Sequence, residues 1–150
     1  MLRYSQGTEM TDNDLHSQLL FVYGTLQKGF DNPFARMVTK QGHLLGRASM
    51  QGLLYDVGTY PCAVCTEHTA TVWGELYHFD NLDTILPALD EYEGDEYERR
   101  LINVHIDGDT RTAWTYLYTA DTSLLKPIAH GDYRRHIHPG NSQIFRTQHN

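Results

Sequence analysis

The most apolar stretch of the chain is a run of five branched and aromatic residues at 19–23, followed at once by Gly24-Thr25. A short continuous apolar run that ends at a glycine is typical of a buried strand. The N–H groups just beyond such a strand have no ladder partners, and groups of this kind can bind a carboxylate or an oxyanion. Most junctions between a strand and a glycine are ordinary turns, so this pattern by itself leaves both interpretations open.

Five further segments are predicted to be extended, from their apolar and polar alternation and their flanking turn residues. Two of them are joined by Asp107-Gly108-Asp109, which is a hairpin signal. Gly46 and Gly52 interrupt another segment and predict bulges or bends of the kind that close a sheet into a barrel. The predicted strands after the first are 43–55, 59–66, 71–79, 98–106 and 112–119. Further along the chain, 131–134 is predicted to be a turn.

Two helices are predicted. Asn32 followed by Pro33 is the usual order of an N-cap and a first helical residue, and it predicts a short helix over 33–39. The second and longer helix has apolar residues at helical spacing and Gly94 just past its end. Pro87 predicts either a kink in this helix or a turn that restarts with Pro87 near its first position. The apolar stripe of the longer helix consists of Leu82, Ile85, Leu86, Leu89 and Tyr92.

Together these elements predict an α+β domain, a small mixed and mainly antiparallel β-barrel of about six strands with one main helix and a short one. We expect this domain to span residues 18–137, between a flexible N-terminal arm at 1–17 and a flexible C-terminal tail at 138–150. A chain of 150 residues with 40% hydrophobic content is large enough to bury a core of its own.

Charge and hydropathy restrict the partners. The net charge of -7 argues against non-specific binding to nucleic acid and against binding to an anionic membrane surface. No apolar run approaches the ~20 residues that a membrane-spanning helix needs. The polar N-terminus lacks the basic start and apolar centre of a signal peptide. We therefore expect a cytoplasmic protein.

Neither the cysteines nor the histidines are arranged for a metal. Cys62 and Cys65 form a lone C-x-x-C in an extended segment, where residues three apart point to opposite faces, so we expect two reduced thiols. The nine histidines include one loose cluster, His130 with His136 and His138, which no carboxylate or cysteine joins at a useful spacing. The sequence therefore predicts no metal site and no cofactor.

The densest acidic run, 90–98, contains one carboxylate whose position differs from the others. Glu93 lies four residues after Leu89, which places it on or beside the apolar stripe at the end of the longer helix. Burial there would raise the pKa of the carboxyl from ~4.3 towards neutrality and make it a useful proton acceptor. The alternative is an ordinary salt bridge, for which Arg99 and Arg100 are available.

Several separated segments resemble, in the same order, the motifs of the gamma-glutamylcyclotransferase-like (AIG2-like) family. The resemblance covers roughly residues 19–135, and the set of motifs is more specific than any one of them. The matching segments are 21–26 for Y-G-[TS]-L, Tyr60-Pro61 for Y-P, 72–77 for V-x-G-E-L-Y, 89–94 for L-D-x-x-E-G, 97–99 for Y-x-R and 131–133 for G-D-[WY].

This resemblance implies a fold and a function. The fold is the small barrel of that family. The function is a metal-independent cyclotransferase that converts a gamma-glutamyl amine, amino acid or peptide to 5-oxoproline and the free amine. The implied site residues are Glu93 as general acid/base, Tyr23, Gly24, Thr25 and Leu26 as the loop that holds the α-carboxylate end of the substrate, and Tyr97 as a shaper of the pocket.

Two alternatives stay open, because a fold does not fix a function. One is a binding or regulatory domain on the same scaffold that has lost turnover, and the other is an amide or peptide hydrolase. The presence of Glu93 favours an active enzyme. The chain departs from the family's pattern in its N-terminal arm, in the Cys62 and Cys65 pair, and in Pro87, which could shift the carboxylate.

Overall fold

The computed structural model describes residues 17–66 and 70–138. These residues contain seven strands, and most of the strands form a closed barrel. Every predicted strand is present. The structure adds one short strand near residue 126 that was not predicted. The strands are β1 (Leu19–Val22), β2 (His43–Asp56), β3 (Pro61–Cys65), β4 (Thr71–His78), β5 (Tyr97–Ile106), β6 (Asp109–Tyr118) and β7 (Lys126–Pro127).

The barrel closes because the long strand β2 pairs with strands at both ends of the sheet. The order is β2-β4-β1-β6-β5, and the pairing of Ser49 on β2 with His105 on β5 completes the circle. All pairings among the described strands are antiparallel except that of β1 with β6. The prediction of a mixed, mainly antiparallel barrel is therefore confirmed.

The two glycines of β2 act differently from each other. The register between β2 and β4 shifts between Leu44 and Gly46, so the predicted bulge is present there. At Gly52 the strand changes partner instead, from β4 to β3. One strand can thus belong to the closed barrel with its first part and carry β3 and β7 with its second part.

Strand β1 lies between β4 and β6, and all four of its residues are buried. Leu19 and Phe21 pack in the barrel interior, whereas Leu20 and Val22 pack in a second apolar cluster with residues of the helices. Burial on both faces explains why the sequence of β1 is continuously apolar rather than alternating. The end of this central strand is where the pocket described below opens.

In the described part of the chain, three α-helices and one 3-10 helix accompany the strands. The predicted longer helix is divided, because Leu82–Thr84 is a 3-10 helix and Pro87 occupies the second position of the α-helix that follows. This is the predicted restart rather than a kink, and proline is tolerated there because the first N–H groups of a helix have no intrahelical acceptor. The α-helices are α1 (Pro33–Gln41), α2 (Leu86–Glu93) and α3 (Tyr133–Ile137).

The segment 131–134 was predicted to be a turn, and for half of it this prediction is wrong. Tyr133 and Arg134 begin α3. The side chain of Asp132 accepts a hydrogen bond from the N–H of Arg135 and so caps the helix. An aspartate N-cap is the signal that the sequence interpretation missed.

The predicted arm at 1–17 and tail at 138–150 lie outside the described residues, except for Ser17 and His138. No helix in the described ranges is both long and apolar enough to cross a membrane.

Both thiols are free, as predicted. Cys62 is fully buried, and this burial raises the pKa of its thiol to about 12.

Candidate active site

A pocket of about 300 Å³ opens beside the end of β1. Four parts of the chain that are far apart in sequence form its wall: 21–26, 59–61, the end of α2 with the start of β5, and residues 115–116 of β6. Glu93 is the one residue with a formal charge among the described residues that line it. The pocket brings together all six predicted site residues: Tyr23, Gly24, Thr25, Leu26, Glu93 and Tyr97.

The loop after β1 lines this pocket, and its backbone N–H groups could serve as donors there. Its turn is closed by the N–H of Gln27, which donates to the carbonyl of Gly24 at 3.1 Å. Within residues 17–66 and 70–138, the N–H groups of Gly24, Thr25 and Leu26 have no hydrogen-bond acceptor. Successive free N–H groups in a concave wall form a favourable site for an anion.

Gly24 begins this turn, and the structure gives a further reason for a glycine at this position. Its φ does not lie in the left-handed region. A Cβ at this position would lie 2.7 Å from Cγ and 2.9 Å from Cδ of Pro61. The missing side chain therefore allows the loop to pack directly against the first residue of β3, and this contact joins two walls of the pocket.

Two hydrogen bonds from side chains hold the loop at Thr25. The amide nitrogen of Asn32 donates to the carbonyl of Thr25 at 2.8 Å. The hydroxyl groups of Thr25 and Tyr92 lie 2.9 Å apart and share a hydrogen bond, which ties the loop to α2. The ring of Tyr92 in turn packs against Phe34 of α1, with 4.5 Å between the ring centroids.

A charged group holds the far side of the same loop. Glu75 of β4 accepts hydrogen bonds from the backbone N–H of Lys28 at 2.8 Å and from the hydroxyl of Tyr77 at 2.9 Å. Arg134 of α3 donates to Glu75 at 3.2 Å and to the carbonyl of Lys28, and its guanidinium lies 5.2 Å above the ring of Phe30. Helix α3 therefore supports the loop that lines the pocket.

Glu93 is the last residue of α2, and its side chain is partly buried in the pocket wall. Within the described part of the chain it makes neither a hydrogen bond nor a salt bridge. Burial raises the pKa of its carboxyl from the ordinary value near 4.5 to about 7. A carboxyl with such a pKa can both accept and donate a proton near neutral pH.

The salt-bridge alternative for Glu93 is wrong, because both arginines have other partners. Arg99 forms a two-pronged salt bridge with Asp90 at 2.9 and 3.2 Å, and Arg100 lies 3.4 Å from Glu98. Burial acts to raise the pKa of Asp90, but hydrogen bonds from Arg99 and Tyr116 outweigh it and hold the pKa below its ordinary value. Asp90 thereby fixes α2 to two strands of the barrel, one turn before Glu93.

The phenol groups of the two predicted tyrosines support the walls of the pocket. Tyr23 donates its hydroxyl to the carbonyl of Tyr116 at 2.5 Å and accepts from the N–H of Ala63 at 3.2 Å. Tyr97 donates to the carbonyl of Pro61 at 2.9 Å. Burial, together with the nearby carboxyl of Glu93, raises the pKa of both phenols. Both therefore stay protonated and serve as neutral hydrogen-bond donors.

Sequence reasoning did not assign three further tyrosines, Tyr60, Tyr92 and Tyr116, to the site, although all three line the pocket. Each carried a signal: Tyr60 lies in the Y-P motif, Tyr92 ends the apolar stripe, and Tyr116 belongs to an aromatic face of β6.

Among residues 17–66 and 70–138, no group of three or more potential ligands could hold a metal ion. His136 pairs with Asp56 at 2.9 Å, away from the pocket.

Comparison with known proteins identifies the family. The sequence profile of the family described as gamma-glutamyl cyclotransferase, AIG2-like, matches residues 20–135, which contain every residue that lines the pocket. The chain belongs to this family.

Curated relatives agree with this assignment. The gamma-glutamylcyclotransferase family protein YtfP of Escherichia coli strain K12 is 37% identical over 117 residues, which cover 76% of this chain and 94% of that protein. The gamma-glutamylaminecyclotransferase of Bos taurus is 31% identical over 116 residues, which cover 69% of this chain and 66% of that protein.

Solved structures of similar proteins have the same fold. The solution structure of YtfP from Escherichia coli superposes with a TM-score of 0.53 at 35% identity, covering 77% of this chain and 95% of that one. The crystal structure of an AIG2-like protein from Mus musculus gives a TM-score of 0.61 at 25% identity, covering 77% and 87%.

Pro87 does not remove the carboxylate of this AIG2-like protein from its pocket. The proline lies in the first turn of α2, whereas Glu93 is at the other end of the same helix and lines the pocket. The 3-10 helix ends before α2 begins, so Pro87 lies at the second position of α2, where its missing N–H breaks no intrahelical hydrogen bond.

Proposed function

We propose that the protein is a cyclotransferase that converts a gamma-glutamyl amine, amino acid or peptide to 5-oxoproline and the free amine. One observation carries the proposal. The carboxyl of Glu93 has a pKa of about 7 and no partner among the described residues. It lines the same pocket as three residues whose backbone N–H groups have no acceptor in the described part of the chain. Membership of the gamma-glutamyl cyclotransferase, AIG2-like family supports the reaction class.

In the proposed reaction, the α-amine of the substrate attacks its own γ-carbonyl carbon. A bond forms between this nitrogen and the γ-carbon, and the bond from the γ-carbon to the leaving nitrogen breaks. The ionised Glu93 accepts the proton that the α-amine loses and then donates it to the leaving amine. No proton is gained or lost overall, so one carboxyl suffices for both transfers and no cofactor enters the balance.

The loop contributes by binding and by orientation. Free N–H groups of Gly24, Thr25 and Leu26 would bind the α-carboxylate of the substrate or the oxyanion that develops at the γ-carbonyl. Holding the substrate in a folded pose brings the amine to the carbonyl carbon, and such positioning can supply about 7–11 kcal/mol of the barrier in favourable cases.

Release of 5-oxoproline from a panel of gamma-glutamyl amines, amino acids and peptides is the direct test. Formation of 5-oxoproline and one equivalent of amine supports the cyclotransferase. Release of glutamate in place of 5-oxoproline would identify a hydrolase. Binding of the panel without any release would identify the non-catalytic alternative.

If the loop binds the α-carboxylate, the affinity for the substrate should depend strongly on that charge. A substrate whose α-carboxyl is amidated should bind at least about tenfold more weakly than its parent, because charge-assisted hydrogen bonds become neutral ones. The measurement is a pair of KM values, or of dissociation constants, for two compounds with the same leaving amine. Equal values for the two compounds would contradict the assignment of the loop.

The raised pKa of Glu93 predicts that this carboxyl lowers the stability of the fold at alkaline pH. Between the unfolded value near 4.5 and the folded value of about 7, the folded state binds more protons than the unfolded state, so stability falls as pH rises through this window. Glu93→Gln should therefore increase the free energy of unfolding by on the order of 1–3 kcal/mol at about pH 8 and by much less at about pH 5. Urea unfolding at the two pH values measures this, and an equal effect at both would show that burial does not perturb Glu93.

A further inference from the structure

The side-chain amide of Asn32 makes two hydrogen bonds, one as an acceptor and one as a donor. Its oxygen accepts from the N–H of Ala35 at 2.7 Å, which caps α1. Its nitrogen donates to the carbonyl of Thr25 at 2.8 Å. The sequence explains the first contact, since Asn32-Pro33 is a usual helix start. The second contact serves no purpose in α1.

The contact with Thr25 fixes the direction of a backbone donor. All peptide bonds of the described residues are trans. In a trans peptide, the carbonyl of one residue and the N–H of the next point in opposite directions. A Thr25 carbonyl that is held by Asn32 therefore turns the N–H of Leu26 to the other side of the loop. Thr25 and Leu26 line the pocket, whereas Asn32 does not.

We propose that Asn32 is a positioning residue that aims the N–H of Leu26 into the pocket, where it meets the anionic end of the substrate. The inference rests on the proposed function of the loop. Asn32 touches neither the substrate nor the reacting atoms, and it acts through the plane of the Thr25–Leu26 peptide. Without its donor, that plane can rotate, and the N–H is then no longer fixed towards the ligand.

Two replacements separate this role from helix capping. Aspartate and serine cap helices about as well as asparagine. Ionised aspartate has no hydrogen to donate to Thr25. Serine has a single oxygen, which cannot occupy both the position of the amide oxygen that caps α1 and that of the amide nitrogen that donates to Thr25. For Asn32→Ser we expect KM to rise by about three- to tenfold with kcat within about twofold, because a contact made equally in ground and transition states affects binding alone. For Asn32→Asp we expect a rise of tenfold or more, since a carboxylate oxygen then faces the Thr25 carbonyl. Asn32→Ala, which also loses the cap, should lower the melting temperature by about 2–4 °C, whereas Ser and Asp should not.

Direct binding of glutamate and of 5-oxoproline, measured by calorimetry, keeps this test independent of turnover. Weaker binding by both capped variants at an unchanged melting temperature supports the proposal. Binding by Asn32→Ser within twofold of the parent would overturn it, as would a loss of kcat without a change in KM. If the parent chain itself binds neither compound and releases no 5-oxoproline, it is the proposed function that fails.

Discussion

Glu93→Gln is expected to lower the release of 5-oxoproline by about 10²–10⁴-fold while the fold is retained, because glutamine keeps the shape of the side chain but cannot transfer the proton. The carboxyl lies in the pocket without a partner among the described residues, and burial raises its pKa to about 7. Steady-state kinetics with the best substrate of the panel measures the effect. In the parent chain, kcat/KM should rise with pH around 7 as Glu93 ionises, and the variant should lack this rise.

Glu91→Gln is the matched control for this prediction. Glu91 lies on the same helix two residues earlier, and its side chain is exposed. It has the same chemistry but does not line the pocket. Activity should therefore be unchanged in Glu91→Gln. Equal activity of Glu93→Gln and the parent chain would exclude proton transfer by Glu93, and an equal loss in both variants would point to a general effect of charge on α2.

Gly24→Val is expected to weaken substrate binding by on the order of 100-fold, because a side chain at this position forces the loop away from β3. A Cβ would lie 2.7 Å from Cγ and 2.9 Å from Cδ of Pro61, closer than atoms in contact can approach. The donors of Gly24, Thr25 and Leu26 would move with the loop. Calorimetric titration with glutamate or 5-oxoproline measures the loss of affinity.

A double replacement distinguishes this clash from any other effect of removing the glycine. Gly24→Ala should weaken binding, and Pro61→Ala in the same chain removes both clashing atoms, so the double variant should regain affinity. Thr25→Ser is the control within the loop, since serine keeps the hydroxyl that contacts Tyr92, and it should bind as the parent does. No recovery in the double variant would show that Gly24 acts in another way than by packing on Pro61.

Much of the fold could be predicted from local patterns. The continuous apolar run of β1, the glycine bulge of β2, the hairpin at Asp107-Gly108 and the cap at Asn32 are each set by residues close together in sequence. Their physical causes, side-chain burial and backbone conformation, act over a few residues. The capping aspartate of α3 was missed because a short helix of five residues has no apolar period to announce it.

The candidate site divides in the same way. The sequence by itself determined that Glu93 lies at the end of an apolar stripe and that a glycine turn follows a buried strand. The family motifs also named all six residues that the pocket later brings together. None of this required knowledge of which strands are neighbours.

The tertiary structure alone decided why these residues have their properties. Arg99 is occupied by Asp90, so Glu93 is left without a cation, and burial in a wall built by distant segments raises its pKa. Gly24 is needed because Pro61, 37 positions along the chain, packs against it. Pairing partners and burial depend on how the barrel closes, and contacts between residues far apart in sequence leave no periodic signal in a single chain.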